Sequence, residues 1–175
     1  MSDLPRRLVL DNPWLRVVSK RVAPHPGAPP EDYFVVEVTD WAMICPRTAD
    51  GRFVLVEQYR PAVERSVLEF PAGRLDPGEA PADTIRRELV EETGHRVTRL
   101  MPLGSYFTDT GRLNNRAHAF YGDVEAVDDW MPEPGVVPVL LTALEIDRLI
   151  GEGRIVSLHH VGLWLLAKTT GLTGA

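Results

Sequence analysis

Glu88, Glu91 and Glu92 crowd within five residues of one another in the stretch "RRELVEETGH", directly after Arg87. At the pitch of a helix these three carboxylates fall within about a 100° arc. Like charges one turn apart cost only a few tenths of a kcal/mol when solvated, so such a cluster is tolerated as a wet helix face. The loop before it points to chemistry instead. "PAGRLDPGE" carries Gly73 and Gly78, whose permissive backbones can turn a carbonyl toward the same face. Carboxylates plus a backbone carbonyl form a hard-oxygen donor set, which suits Mg²⁺ or Mn²⁺. A cation there offsets the carboxylate repulsion and leaves positions for water and phosphate oxygens. The chemistry implied is phosphoryl chemistry.

The elements that must position these groups are well signposted. Pro81 suits a first helical position, Asp83 a first turn and Gly94 a C-terminal cap, which predicts a helix with Ala82, Ile85, Leu89 and Thr93 on one buried face. Strands are expected at "WLRVVSKRV", "YFVVEV", "WAMIC", "RFVLVEQYR" and "SVLEF", and after the helix at "VTRLMPLGSYF" and "RAHAFYGDVEAV". In "RFVLVEQYR", Phe53 and Leu55, with Gln58 as a further candidate, mark one pleated face. Thr142 and Glu145 form a capping-box pattern, and Ser157 opens a last apolar helix. Strands interrupted by one helix and followed by two more predict an α+β fold, a sandwich. "DDWMPEPGVVPVLL" reads as a loop, and "APHPGAPPED" as a linker after the first strand.

Composition sets the bounds. The chain has 175 residues, 44% hydrophobic and 25% charged, with a net charge of −6. That is one domain of an ordinary globular protein, and its acidity argues against nucleic-acid backbones and anionic membranes. Cys45 has no internal partner for a disulfide and reads as a buried thiol. "MSDLPRRLVLDNPW" has no continuous apolar segment, and no span is expected, so the expectation is a cytoplasmic protein. His159 and His160 lie on the apolar last helix and read as packed or exposed residues rather than metal ligands. Trp41 and Trp164 read as core, as do Trp14, Tyr33 and Phe34.

Gly73, five residues, Glu79, seven residues, then Arg87-Glu88-Leu89-Val90-Glu91-Glu92-Thr93-Gly94 resembles the Nudix box. His95 departs from it, standing where the family has an aliphatic residue. Upstream, "VLVEQYR" followed by "LEFPAGRLDPGE" resembles the ADP-ribose pyrophosphatase branch, the nucleoside-diphosphate-sugar hydrolases. The resemblance implies the α/β/α Nudix sandwich, a mixed β-sheet between helices, with an N-terminal antiparallel strand region. It divides the chain into residues 1–40, strands used for dimerisation, and 41–175, the Nudix hydrolase domain.

Carried over by position, the resemblance makes Glu88 and Glu92 principal metal ligands and Glu91 a further ligand or water orienter. The carbonyl of Ala72 completes a metal shell, Arg87 orients the glutamates, and Glu79 is a supporting carboxylate near them. The cofactor implied is Mg²⁺, with Mn²⁺ able to substitute. The reaction implied is hydrolysis of a small nucleotide diphosphate by a homodimer, most simply ADP-ribose to AMP and ribose 5-phosphate. Arg60, Glu69, Gly73, Arg112 and Arg116 are candidates for substrate contact. Glu133 is the candidate general base, with Asp128 and Asp129 behind it and Glu91 or Glu92, assisting a metal-bound hydroxide, as the alternative. Where ADP-ribose pyrophosphatases carry a proline after the box, this chain has Thr110-Gly111, and its Asn114-Asn115-Arg116 is similar to "NNR" segments of a neighbouring Nudix group. Another nucleotide sugar, a dinucleotide or a nucleoside triphosphate therefore stays open as substrate, and a non-catalytic nucleotide-sensing module is a third reading.

Overall fold

A computed structural model describes residues 6–173. The chain divides into two compact units. The smaller takes in the strands up to Asp40 together with Tyr106–Arg116, and the larger comprises Trp41–Ser105 and the chain from Ala117 onward.

In the smaller unit β1 (Arg6–Asp11), β2 (Arg16–Val22) and β3 (Glu31–Glu37) form an antiparallel sheet in that order. The segment 106–116 attaches to β3 through the Val36 N–H, which donates to the Arg112 carbonyl at 2.8 Å. Asn115 locks it: its side-chain amide donates to the Thr39 carbonyl at 3.2 Å and accepts from the Thr108 hydroxyl at 2.8 Å. The Asp40 carboxylate accepts from the Arg116 N–H at 2.8 Å. Asn115 is buried, and these partners satisfy it.

The larger unit is built on a mixed sheet. Its order is β10 (Val136–Leu141), β5 (Phe53–Arg60), β4 (Trp41–Thr48), β9 (Arg116–Ala126), β8 (His95–Phe107). β4 and β9 run parallel, while β5 is antiparallel to β4, β10 and β6 (Arg65–Glu69). The period of two along each strand divides two cores. Ala42, Ile44, Val54 and Phe120 face α1 (Pro81–Thr93), which contributes Ile85 and Leu89. Met43, Cys45, Phe53, Leu55, Ala119 and Tyr121 face α2 (Ala143–Gly151) and α3 (Leu158–Thr169), which contribute Ile146, Leu163 and Trp164. Burying Ile85 and Leu89 fully stabilises α1 on the sheet by about 1.5–3 kcal/mol each. Asp147 of α2 accepts from the Trp164 indole and pairs with Lys168, joining the two helices.

The expected single buried face of β5 is exceeded: Phe53, Val54, Leu55 and Val56 are all fully buried, because helices cover both sides. "GVVPVLL" is a strand rather than a loop. Pro138 is tolerated in β10 because that strand is at the sheet edge. Thr142 forms the predicted capping box with Glu145, whereas the Ser157 side chain makes no cap bond to α3.

β4 and β5 diverge, and this shapes the site. β5 pairs with β4 only at Phe53–Arg47, and its later residues, Val56 to Arg60, pair with β6 instead. β7 (Ala72–Arg74) pairs with the start of β4, Trp41 to Met43. The segment between β5 and α1 therefore fills the fork, where it carries Glu69, Ala72 and Gly73.

Candidate active site

α1 begins at Pro81 and ends on Gly94, whose φ of 67° is left-handed. Apolar residues anchor one side of it, and the opposite side holds the carboxylates in unequal environments. Glu92 is buried, Glu88 half-buried and Glu91 exposed. The Glu92 carboxylate accepts from the Ala72 N–H at 3.1 Å. Burial pushes the Glu92 carboxyl up to about 8, and the nearby Glu88 and Glu133 charges add to the rise. Burial likewise raises the Glu88 carboxyl, against the pull of Arg87.

Gly73 makes room for this. A Cβ built there would lie 2.0 Å from the Glu88 carboxyl carbon, so only glycine lets the β7 backbone and that side chain meet. Arg87 gathers the rest. Its guanidinium donates through Nε and Nη2 to Glu79 at 3.2 and 3.0 Å, and through Nη1 to Glu88 at 2.8 Å and Glu91 at 3.1 Å. Glu79 also accepts from the Asp76 N–H and the Thr84 hydroxyl. Arg87 above all, then these two donors, hold the Glu79 carboxyl down to about 2. The Glu79–Arg87 pair is thus a fixed post to which two of the three helix carboxylates are tied.

Glu133 opens the turn into β10, closed by the Val136 N–H on its carbonyl at 3.2 Å. With Met131 it faces Glu88 and Glu91 across an open cavity of about 560 Å³. Trp130, a residue the sequence reading passed over, donates its indole N–H to the Glu91 carbonyl at 3.2 Å. Its ring lies against Gly94, where a Cβ would come within 2.5 Å. His95 lies beside the same turn, its Nδ1 2.9 Å from the Thr93 carbonyl.

A second cavity, of about 480 Å³, reaches Ala72 and Gly73 and is lined also by Trp41, Arg60, Glu69, His159 and His160 among others. Arg60 donates to Glu69 through Nε at 2.9 Å and Nη2 at 2.7 Å. Trp41 packs against the core as expected, but it is only half-buried and also forms part of this cavity wall, edge-on to His159 with ring centroids 5.4 Å apart. Trp164 is core as expected. No sequence signal joins Trp41, Arg60 and His159, which come from β4, β5 and α3.

Arg112 and Arg116 lie in the smaller unit. The Arg112 guanidinium stands 5.0 Å over the Tyr33 ring and that of Arg116 4.1 Å over the Phe107 ring. In that unit Trp14 and Phe34 are exposed, not core, at 71% and 43% of their surface.

Among the described residues, no three His, Cys, Asp or Glu side chains converge as a ready-made metal-ligand set. The donors nonetheless fit a hard divalent cation in kind. They are carboxylate oxygens, drawn out of water and raised by one another's charge, against a glycine that leaves space. Such an arrangement gains from a positive ion and has nothing to offer a soft one.

The NUDIX domain description matches residues 39–145. The chain therefore belongs to the Nudix family and is a Nudix hydrolase, an enzyme class acting on phosphorus-containing anhydrides. It is 36% identical over 140 residues to an ADP-ribose pyrophosphatase of Bacillus subtilis (strain 168), covering 78% of this chain and 69% of that one. It is 30% identical over 134 residues to a GDP-mannose pyrophosphatase of Yersinia enterocolitica, covering 70% of each. A solved structure, that of an ADP compounds hydrolase, superposes with a TM-score of 0.82 at 20% identity, over 97% of this chain and 95% of the other. That likeness establishes the α+β Nudix fold. Among the described residues, no helix is long and apolar enough to cross a membrane.

Proposed function

We propose that this chain hydrolyses the diphosphate bond of a nucleoside diphosphate sugar, ADP-ribose foremost, releasing AMP and ribose 5-phosphate. The observation that carries the reading is the desolvated carboxylate pair Glu88 and Glu92, packed on Gly73 and Ala72 next to the cavity that Arg60 enters. Similarity to an ADP-ribose pyrophosphatase over most of the chain supports the choice of substrate.

Glu88, Glu92 and the Ala72 carbonyl are the groups to hold Mg²⁺, with Mn²⁺ as substitute and Glu91 as a further ligand or water orienter. Bound there, such an ion offsets the diphosphate charge and lowers the pKa of a water. The protein groups supply position and proton transfer. Arg87, fixed on Glu79, sets the directions of Glu88 and Glu91. Arg60, fixed on Glu69, presents its remaining guanidinium edge to a phosphate or ribose oxygen. The water oxygen bonds to one phosphorus as the bond from that phosphorus to the bridging oxygen breaks, and the water proton passes to Glu133.

The Thr110-Gly111 turn in place of a proline, and similarity to a GDP-mannose pyrophosphatase, favour another nucleotide sugar as the second reading. The test is a panel of ADP-ribose, GDP-mannose, a dinucleotide and a nucleoside triphosphate, each with Mg²⁺ and with Mn²⁺. ADP-ribose is expected to show the highest kcat/KM, within ~10⁴–10⁸ M⁻¹s⁻¹, with AMP as a product. Preference for the triphosphate, or no turnover of either nucleotide sugar, would overturn the proposal.

A further inference from the structure

His160 reads in sequence as a packed or exposed residue of an apolar helix, yet its contacts are those of a polar joint. It is 3% exposed, on α3 beneath the second cavity. The Phe70 N–H donates to its Nδ1 at 3.2 Å. A ring nitrogen that accepts carries no hydrogen, so the proton of the neutral imidazole is on Nε2. That nitrogen faces the Glu69 carboxylate, 3.6 Å from Oε1.

Glu69 is itself 7% exposed, and its two oxygens are unequally served. Oε2 receives Gln58 at 3.2 Å and both Nε and Nη2 of Arg60. Oε1 faces the imidazole Nε2 at 3.6 Å, a contact longer than an ordinary hydrogen bond. A buried carboxylate draws donors to its lone pairs, and a donor facing the far oxygen resists rotation of the group. Arg60 has two of its three nitrogens on that carboxylate, so the rotation of Glu69 decides where the guanidinium points.

Resting on the function proposed above, we infer that His160 is a positioning residue: through Glu69 it aims Arg60 into the substrate cavity, beside the carboxylates of α1. Its environment keeps it neutral for this. Burial pushes the imidazole down to about 4, outweighing the Glu69 charge, and the neighbouring His159 and Arg60 act in the same direction as burial. The rings of Trp41 and Phe70, 6.3 and 6.4 Å away, close the remaining sides. His160 touches no reacting atom in this scheme, so its removal acts on binding rather than on bond cleavage.

Two substitutions separate the bonds. His160→Asn places an acceptor near Nδ1 and keeps the Phe70 link while losing the donor to Glu69. His160→Gln places an amide donor near Nε2 and keeps the Glu69 link. With ADP-ribose and saturating Mg²⁺, His160→Asn is expected to raise KM about 3- to 10-fold with kcat nearly unchanged, the loss of the donor that faces Glu69. His160→Gln is expected to stay within about 2-fold of wild type, a difference too small to count as a lost hydrogen bond. A second measurement needs neither substrate nor metal. The Arg60 Nε–H resonance is expected to be resolved and slow to exchange in the wild-type protein, to broaden into the solvent-exposed arginine signal in His160→Asn, and to persist in His160→Gln. Thermal melting identifies a variant that has lost its fold, and the other variant then decides. If Arg60 is equally protected in both variants, or both raise KM alike, the positioning role is wrong. If the wild type turns over no nucleotide sugar while the Arg60 signal follows the pattern, the substrate assignment fails and the joint stands.

Discussion

Glu92 concentrates the conflict in this site. It is 6% exposed, receives one backbone N–H, and is pushed up to about 8 chiefly by burial. An acid whose folded pKa is raised contributes stability that is present below its unfolded value, about 4.3, and is lost as pH rises through about 8. His160 acts in a different window: lowered to about 4, it makes the fold gain stability as pH rises toward about 6.5, the ordinary histidine value. Between pH 6.5 and 8.5, then, the carboxylates act without it. The metal-free wild type should lose melting temperature across that interval, and Glu92→Gln should show a smaller loss, which a set of thermal melts at stepped pH will check. The same variant should fold yet lose activity by about 10²-fold or more, since even outer partners of metal ligands cost ~10–100-fold. Near wild-type turnover at saturating Mg²⁺ would remove Glu92 from the ligand set.

At the scale of elements, the end of α1 and the chain from 129 to 136 act together. Gly94 takes a left-handed φ of 67° and leaves the space that Trp130 fills, and Asp129 is also left-handed at 57°. Gly94→Ala meets both obstacles, so it should destabilise by about 1–3 kcal/mol, read from urea unfolding. An undiminished midpoint would mean that Trp130 swings away at no cost. Glu133 follows Trp130 by a short stiff link, flanked by Pro132 and Pro134. It stands opposite Glu88 and Glu91 across the open cavity, so no closing motion is needed to bring it there. Glu133→Gln should lower kcat by about 10²–10⁴ with little change in KM, as single-turnover rates at saturating Mg²⁺ will show. Activity within a few fold of wild type would move proton removal to Glu91 or Glu92.

For the whole molecule, the three-stranded sheet of the smaller unit bears on assembly. Its edge strand β1 exposes Leu8, Val9 and Leu10 at 54%, 48% and 48%, and Trp14 follows at 71%. Exposed apolar edge strands invite pairing, and charge alone guards this one, through Arg6, Arg7 and Asp11. We propose a homodimer joined through these strands, with residues 1–40 as the dimerising region. Light scattering at micromolar concentration should give twice the chain mass, and a monomer of full activity would refute it. Replacing Leu8 and Leu10 with serine should shift the equilibrium toward monomer.

Much of the site was written in local sequence. Pro81, Gly94 and the apolar spacing between them define α1 because helix signals act within a turn or two, and the helical period then puts Glu88, Glu91 and Glu92 on one side. Thr142 and Glu145 announced α2 for the same reason. The sequence alone thus determined the family, the helix and the carboxylates. What it could not determine were relations between distant residues. β1 and β10 escaped notice: β10 is held by β5, far back along the chain, while β1, exposed at every residue beside its neighbour β2, has no alternating pattern of its own. The burial that raises Glu92 comes from β7 lying in the fork of β4 and β5, and no property of residues 88–92 encodes that fork. His160 accepts from a backbone 90 residues away, so its polarity was invisible beside its apolar neighbours. Local periodicity names the side chains available for chemistry, but solvation and partners decide their charge, and those are properties of the folded packing alone.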